Sequence, residues 1–257
     1  MSHDPPPSRS HAPSLEDGAP RVWVTRALPG AQATAVRLAA AGLKPLVAPL
    51  IATTPLPGSA DLLVTHNALV FTSAAAVREV ARRTPDRSHP VYAVGEATAR
   101  AARSAGWTVA ADADGSVADL GPILADAPRG LRLLHPCAEV TAGDLSAAGR
   151  TITAWPVYRT DPAAEGWEAA LTDLRAGHLA GVLVQSPSAA TALALRLGGA
   201  PVPAAVTLFA LSPACAAPLA GSGFGEIAHP PFPREAALLK VVTDTLVGAP
   251  PAAPDRH

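Results

Sequence analysis

Short, largely apolar runs alternate with alanine-rich runs along most of this chain. Residues 22–25, 68–71 and 181–185 are apolar stretches of strand length, and each precedes a turn and a segment rich in alanine. Continuous apolar strands followed by helices are typical of βαβ units, in which a parallel sheet is covered on both faces. The pattern therefore predicts an α/β fold with parallel sheets flanked by helices.

Two pairs of segments resemble each other. Residues 68–77 match residues 181–190, and residues 93–107 match residues 210–224. An internal repeat of this kind indicates two lobes of similar design. Proline-interrupted runs lie between the repeated parts, at residues 46–54 and 152–160. Because proline lacks the N–H that a central strand needs, we interpret both runs as extended crossings between the lobes.

These features divide the chain into segments. We expect a discontinuous lobe one (20–48 plus 163–247), a lobe two (56–151) and two inter-lobe linker strands (49–55 and 152–162). The first 19 residues are rich in proline, serine and histidine, and the last ten contain three prolines. That composition indicates a disordered arm at 1–19 and a flexible tail at 248–257. A short helix is also predicted near residues 141–148.

Composition and charge indicate which classes of partner the protein binds. The net charge is -1, from 20 basic and 21 acidic residues, without the concentrated basic face that nucleic acid requires. No stretch approaches the roughly 18 apolar residues of a membrane span, and the first residues lack the apolar core of a signal peptide. The two cysteines are far apart, which favours free thiols in a reducing compartment. We expect a cytoplasmic protein, without nucleic-acid or membrane partners, for which a monomer suffices.

The sequence lacks the motifs of several common classes of enzyme. Neither a dinucleotide nor a mononucleotide glycine fingerprint is present, and there is no G-x-S-x-G or H-E-x-x-H motif. The eight histidines are scattered. The sequence therefore predicts no metal and no cofactor.

Hydroxyls and glycines recur where predicted strands give way to helices. These positions are Thr25, Thr72, Ser73, Gly95, Thr98, Ser186, Ser188 and Ser212. Each one alone is explained by helix capping. The carboxyl ends of parallel strands, however, are where such sheets bind ligands, and several helix N-termini directed at one cleft attract anions. The set therefore indicates substrate contacts at an anion-binding cleft.

Two longer side chains are candidates for chemistry. Tyr158 follows Pro156 in the second crossing run, where it is either an ordinary packed strand tyrosine or a proton donor bordering the cleft. Arg26 follows the first strand and is either solvated or a clamp for a carboxylate.

Three other residues are given structural roles. Arg78 is expected on a solvated helix face. His135 and Cys137 are interpreted as loop residues, since two lone donors do not complete a zinc site.

The order of these motifs resembles the uroporphyrinogen-III synthase family over about residues 21–247. The resemblance rests on Val24-Thr25-Arg26, Phe71-Thr72-Ser73, Ala93-Val94-Gly95-Glu96-Ala97-Thr98, Val157-Tyr158-Arg159, Ser186-Pro187-Ser188 and Pro231-Phe232-Pro233. It implies two α/β lobes joined by a two-stranded linker, and a cofactor-free lyase of heme and tetrapyrrole biosynthesis. The implied substrate is the linear tetrapyrrole hydroxymethylbilane, which closes to uroporphyrinogen III with inversion of ring D and loss of water.

The resemblance also implies roles for individual residues. Tyr158 matches the family's tyrosine, which helps the hydroxyl of ring A to leave. Cys215 stands where the family often has threonine, so it either contacts the substrate there or packs as a small buried thiol.

Two other functions remain open from the sequence. One is a non-catalytic two-lobed module that binds a small anion or a tetrapyrrole. The other is a nucleotide-dependent enzyme on a similar fold, which the missing glycine fingerprint disfavours.

Overall fold

The computed structural model describes residues 18–113, 119–140 and 149–248. Most of the predicted N-terminal arm and C-terminal tail, and the helix predicted near 141–148, lie outside these ranges. The described strands are β1 Arg21–Val24, β2 Lys44–Val47, β3 Ile51–Pro55, β4 Ala68–Phe71, β5 Val91–Val94, β6 Val109–Ala113, β7 Leu133–Ala138, β8 Ile152–Pro162, β9 Gly181–Val184, β10 Thr207–Ala210 and β11 Glu226–Ala228. The described helices are α1 Gly30–Ala40, α2 Leu62–Thr65, α3 Ala74–Arg83, α4 Glu96–Ser104, α5 Leu120–Ala125, α6 Glu168–Arg175, α7 Pro187–Leu197, α8 Pro213–Ala216 and α9 Glu235–Leu246.

The first sheet has the strand order β11-β10-β9-β1-β2 within the described residues, and all of its pairs are parallel. Its central strands are buried on both faces. Successive side chains of a strand point to opposite sides, so each strand packs against helices on both. Val22 and Val24 pack with Leu238 of α9, whereas Trp23 packs with Leu193 of α7 on the other face. This double covering explains why β1 and β9 are apolar without alternation.

The second sheet has the order β3-β8-β7-β4-β5-β6, again within the described residues. Its pairs are parallel except for β3 with β8, which run antiparallel from Ile51 opposite Pro162 to Pro55 opposite Tyr158. Phe71 packs with Val80 of α3 on one face. The predicted fold class, mixed α/β with two parallel-dominated sheets flanked by helices, is confirmed.

The first two residues of the run 46–54, which is interpreted above as an extended crossing, lie in a sheet. Leu46 and Val47 form the end of β2, which pairs only with β1 at the edge of the first sheet. Proline is tolerated on an edge strand because its missing N–H faces no partner, and this accounts for Pro45.

His135 and Cys137 are strand residues, not the loop residues that the sequence predicts. Both lie within β7 and are buried. Pro136 does not end the strand, because beyond Leu134 β7 pairs with β8 alone and no longer needs an N–H toward β4. These two side chains therefore come close to the polar groups at the end of β4.

Candidate active site

Tyr158 and Ser73 meet at the centre of the candidate site. Tyr158 lies in β8 with 9% of its surface exposed, and its hydroxyl is 2.9 Å from Oγ of Ser73. Ser73 is the N-cap of α3, where its Oγ accepts a hydrogen bond from the backbone N–H of Ala76 at 3.1 Å. The end of β4 and a long strand of the same sheet thus bring together two residues that are 85 positions apart.

The proton between the two hydroxyls can lie on either oxygen. When Ser73 donates to the phenolic oxygen, the proton of Tyr158 is left for another acceptor. Burial raises the pKa of Tyr158 above its ordinary value, although the hydrogen bond from Ser73 and the nearby charge of Arg78 oppose the shift. The phenol therefore remains protonated at neutral pH, as a proton donor must be.

Arg78 is near enough to Tyr158 and Arg26 for their charges to act on its guanidinium. It lies in α3, is half-buried, and has no hydrogen-bond acceptor among the described residues. Burial lowers the pKa of its guanidinium, and the charge of Arg26 adds to this effect while those of Glu79 and Tyr158 oppose it. Arg26 and Arg78 are thus near enough to repel each other, and an anion bound between them would relieve that repulsion. Arg78 is therefore more buried than a fully solvated helix face would make it.

Thr72 and His135 form a second polar pair beside Tyr158. The Oγ1 of Thr72 is 3.1 Å from Nε2 of His135, which is 4% exposed. Burial lowers the pKa of His135 to about 4, so its imidazole is neutral at physiological pH. Burial also raises the pKa of the Cys137 thiol. Neither His135 nor Cys137 is suited to carry a charge. The hydrogen bond between Thr72 and His135 fixes the direction of the Thr72 hydroxyl.

Arg26 lies at the end of the first sheet, tied to an acid from the last helix. Its Nη1 donates to Oε1 of Glu235 at 3.1 Å and to Oγ1 of Thr34 at 3.4 Å. Thr34 donates to the same carboxylate at 2.5 Å, as does Gln185 at 3.2 Å, and Arg37 pairs with its other oxygen at 2.7 Å. Burial by itself would raise the pKa of Glu235, but these donors and the two arginine charges outweigh it and hold the pKa below its ordinary value.

The predicted strand-end serines cap helices. Hydroxyl oxygens accept from the backbone N–H three residues later at 3.1 to 3.3 Å, and the three serines are Ser73, Ser186 and Ser212. An oxygen that accepts this bond still carries its own proton. Ser186 therefore keeps a donor, whereas the hydroxyl of Ser212 donates to the sulfur of Cys215 at 3.4 Å. Substrate contact at Ser186 and Ser212 stays a prediction.

Three other predicted contacts are buried. Thr25 is fully buried, and its hydroxyl donates to the backbone oxygen of Leu183 at 2.8 Å, which ties β1 to β9. Thr98 is 5% exposed within α4, and Cys215 is 4% exposed with its sulfur 3.4 Å from Oγ of Ser212. The burial of Cys215 favours the packed-thiol alternative. In this conformation none of the three side chains is exposed to a ligand.

Gly95 and Ser188 are accessible strand-end positions. Gly95 precedes α4 with φ of +82°, a conformation that favours glycine, and a Cβ added there would meet nothing within 4 Å. Ser188 is exposed in the first turn of α7. Both stay predicted substrate contacts.

A cavity of about 300 Å³ lies beside the β3 strand. It is lined by Leu28, Pro49, Ile51, Ala52, Thr53, Ala163 and Glu165, which include none of the predicted site residues. Within the described ranges, no cluster of His, Cys, Asp and Glu side chains could hold a metal ion. No helix in the described part of the chain is long and apolar enough to cross a membrane.

Glu235, Thr34 and Gln185 are polar site residues that sequence reasoning misses. Glu235 lies 209 positions from Arg26, and no local pattern connects the two. The sequence offers only a weak signal for Glu235, which is its position in the first turn of the predicted final helix. An acidic residue at that position is ordinarily explained by the helix dipole.

Fold and site define a two-lobed α/β protein whose polar residues gather at strand ends. Residues 32–240 match the family model described as uroporphyrinogen-III synthase HemD. The chain belongs to the uroporphyrinogen-III synthase family, enzymes of tetrapyrrole biosynthesis. No curated protein matches the sequence.

Solved structures of similar fold come from the extremely thermophilic bacterium Thermus thermophilus. A mutant of its uroporphyrinogen III synthase shares 20% identity with a TM-score of 0.55, over 90% of this chain and 100% of that chain. The wild-type enzyme of the same bacterium, also 20% identical, has a TM-score of 0.42 over 89% of this chain and 98% of its own. The first of these similarities supports the fold.

Proposed function

We propose that this protein is a lyase that closes hydroxymethylbilane to uroporphyrinogen III, with inversion of ring D and release of one water. The observation that carries the proposal is the 2.9 Å contact between the Tyr158 hydroxyl and Ser73 at the end of β4. Membership in the uroporphyrinogen-III synthase family names the substrate class.

Tyr158 is the proton donor in this proposal. As the C–O bond to ring A breaks, the phenolic proton passes to the departing hydroxyl, which leaves as water. Ring A becomes an electrophilic azafulvenium cation and Tyr158 a phenolate. Ser73 donates to the phenolic oxygen and stabilises the negative charge that develops on it. The buried phenol, with its raised pKa, is held protonated for this step.

Ring closure then depends on holding rings A and D. Ring D attacks through its substituted carbon, a spiro intermediate forms and rearranges, and the final proton loss returns a proton to the Tyr158 oxygen. The linear substrate also closes spontaneously to the unrotated isomer, so the protein must favour the rotated route by positioning. Arg26 and Arg78, with helix N-termini at strand ends, supply positive charge for the acetate and propionate groups.

The division of the chain is part of the proposal. Lobe one would comprise 20–48 and 163–247, lobe two 56–151, and 49–55 with 152–162 would link them. Support comes from the antiparallel pairing of β3 with β8, which belong to the second sheet and also contact α7 beside the first. We further propose that the protein acts as a monomer in the cytoplasm, where its two buried free cysteines remain reduced.

A turnover assay tests the function. The purified protein is incubated with freshly prepared hydroxymethylbilane, and the products are oxidised and separated by isomer. The proposal predicts that uroporphyrinogen III predominates and forms faster than the spontaneous product. Accumulation of the unrotated isomer alone, at the uncatalysed rate, would refute it, and tight tetrapyrrole binding without turnover would favour the non-catalytic binding module.

A further inference from the structure

Glu235 is a partly buried carboxylate that four side chains contact, namely Arg26, Thr34, Arg37 and Gln185. It lies in the first turn of α9, and 14% of its side chain is exposed. Its donors come from three other parts of the chain, namely the end of β1, helix α1 and the end of β9. The proposed proton transfer at Tyr158 makes no use of this cluster.

The cluster fixes one edge of the Arg26 guanidinium and leaves another edge open. Nη1 is bonded to Glu235 and Thr34. Nε and Nη2 find no acceptor among the described residues, yet these two N–H groups share the edge that binds a carboxylate in the bidentate manner. The guanidinium is thus anchored on one side and available on the other.

Gly30 provides the space in which this guanidinium lies. A Cβ added at Gly30 would lie 2.8 Å from Nε, 2.9 Å from Cζ and 3.0 Å from Nη2 of Arg26. The backbone of Gly30 does not have a positive φ, so its small size and not its flexibility matters here. Any larger residue would push the Arg26 side chain away from its present place.

Charge in the cluster also favours an acidic ligand. Arg26 and Arg37 contribute two positive charges against the one negative charge of Glu235, and Arg78 adds a third cation nearby. The Arg26 side chain is 31% exposed, so a ligand can reach it. An unbalanced group of cations at strand ends attracts carboxylates.

We propose that Glu235 is a positioning residue that holds Arg26 with its Nε–Nη2 edge open to a carboxylate of the substrate. Glu235 itself touches no reacting atom. The inference rests on the proposed function for the identity of the acid, a side-chain acetate or propionate of the tetrapyrrole.

Kinetics of four single variants and one double variant test this role. Arg26→Gln is expected to raise KM about tenfold, the loss of one charge-assisted contact. Glu235→Gln is expected to raise KM about fivefold with kcat within about twofold, because the substrate contact weakens while the proton donor is intact. The double variant should have the KM of Arg26→Gln, since Glu235 acts through Arg26.

Gly30→Ala and Lys240→Gln separate positioning from a general effect of substitution. Gly30→Ala removes no charge and suits a helix, so it should fold and yet raise KM by displacing Arg26. Lys240→Gln removes an exposed charge of α9 that pairs with Asp244 and not with Glu235, and it should leave KM unchanged. An unchanged KM in Glu235→Gln and Gly30→Ala, additive effects in the double variant, or an equal rise in Lys240→Gln would each overturn the proposal.

Binding of a fluorescent probe distinguishes this inference from the proposed function. Oxidised uroporphyrin III carries the same acidic groups and can be titrated against the same variants without turnover. Weaker binding by Arg26→Gln, Glu235→Gln and Gly30→Ala supports the inference even where the wild-type protein fails to form the rotated isomer. Equal affinity across all variants contradicts it, whatever the wild-type turnover.

Discussion

The hydroxyl of Tyr158 lies 2.9 Å from Oγ of Ser73, and the same oxygen of Ser73 caps helix α3. One serine therefore holds the start of a helix and the proposed proton donor together. Because the capping bond uses an acceptor site of Ser73, its proton remains available for the phenolic oxygen. Helix stability and phenol orientation are coupled at this point.

Substitution of Ser73 should separate these two roles. Ser73→Ala is expected to lower the free energy of unfolding by about 1 kcal/mol through the lost cap. It should also lower kcat about tenfold, because the phenol loses its fixed direction. Ser73→Thr retains both the hydroxyl and the cap and should preserve most activity. Equal kcat in the alanine and threonine variants, measured with urea unfolding in parallel, would argue against a coupled role.

Arg78 should contribute to substrate binding and little to folding. It has no hydrogen-bond acceptor among the described residues, so Arg78→Gln should leave the unfolding free energy within about 0.5 kcal/mol of wild type. Loss of its charge near Tyr158 should raise KM for the acidic substrate about fivefold. Arg82→Gln, on the exposed side of the same helix, is the matched control and should leave KM unchanged. If both variants behave alike, Arg78 faces no substrate.

His135 should make the fold sensitive to acid. Burial lowers its folded-state pKa from 6.5 to about 4, so the unfolded chain binds the extra proton first as the pH falls. The stabilisation is fully present above about pH 6.5 and is lost progressively down to about pH 4, by up to on the order of 3 kcal/mol. His135→Gln, which can still bond Thr72, should flatten this part of the stability curve. An equal dependence of the unfolding free energy on pH in wild type and in His135→Gln would contradict a buried neutral imidazole.

Gly95 should not tolerate alanine. It has φ of +82° and open space around its Cα, so Gly95→Ala should destabilise by about 1 kcal/mol through backbone strain alone. Thermal unfolding of the variant and of wild type measures the difference. A stabilising Gly95→Ala would show that the turn before α4 adopts another conformation.

Much of the fold follows from the periodicity of the sequence. The strand predicted at 68–71 is β4, and the strand predicted at 181–185 is β9 with one residue fewer. Continuous apolar runs are informative here because both sheets bury both faces. The edge strands β6 and β11 are less apolar and are not predicted, since a strand with one neighbour and an exposed side carries no comparable signal.

The site was harder to predict because its bonds are long-range. Strand ends are local features, so Tyr158, Ser73 and Arg26 could be named from the sequence. Glu235 could not, because its link to Arg26 exists only after α9 packs beside β1 and α1. Thr25 shows the opposite case, a strand-end hydroxyl whose bond to the neighbouring strand leaves no surface for a ligand.

The rate of uroporphyrinogen III formation in wild type and Tyr158→Phe is the decisive measurement for the proposed chemistry. The phenylalanine variant loses one hydrogen bond, so its free energy of unfolding should lie within about 1 kcal/mol of the wild-type value. We expect wild type to form mainly the rotated isomer, and the variant to form it at least about 100-fold more slowly. An unchanged rate in the folded variant, or only the unrotated isomer from wild type, would contradict the role of Tyr158 as proton donor in a synthase of this family.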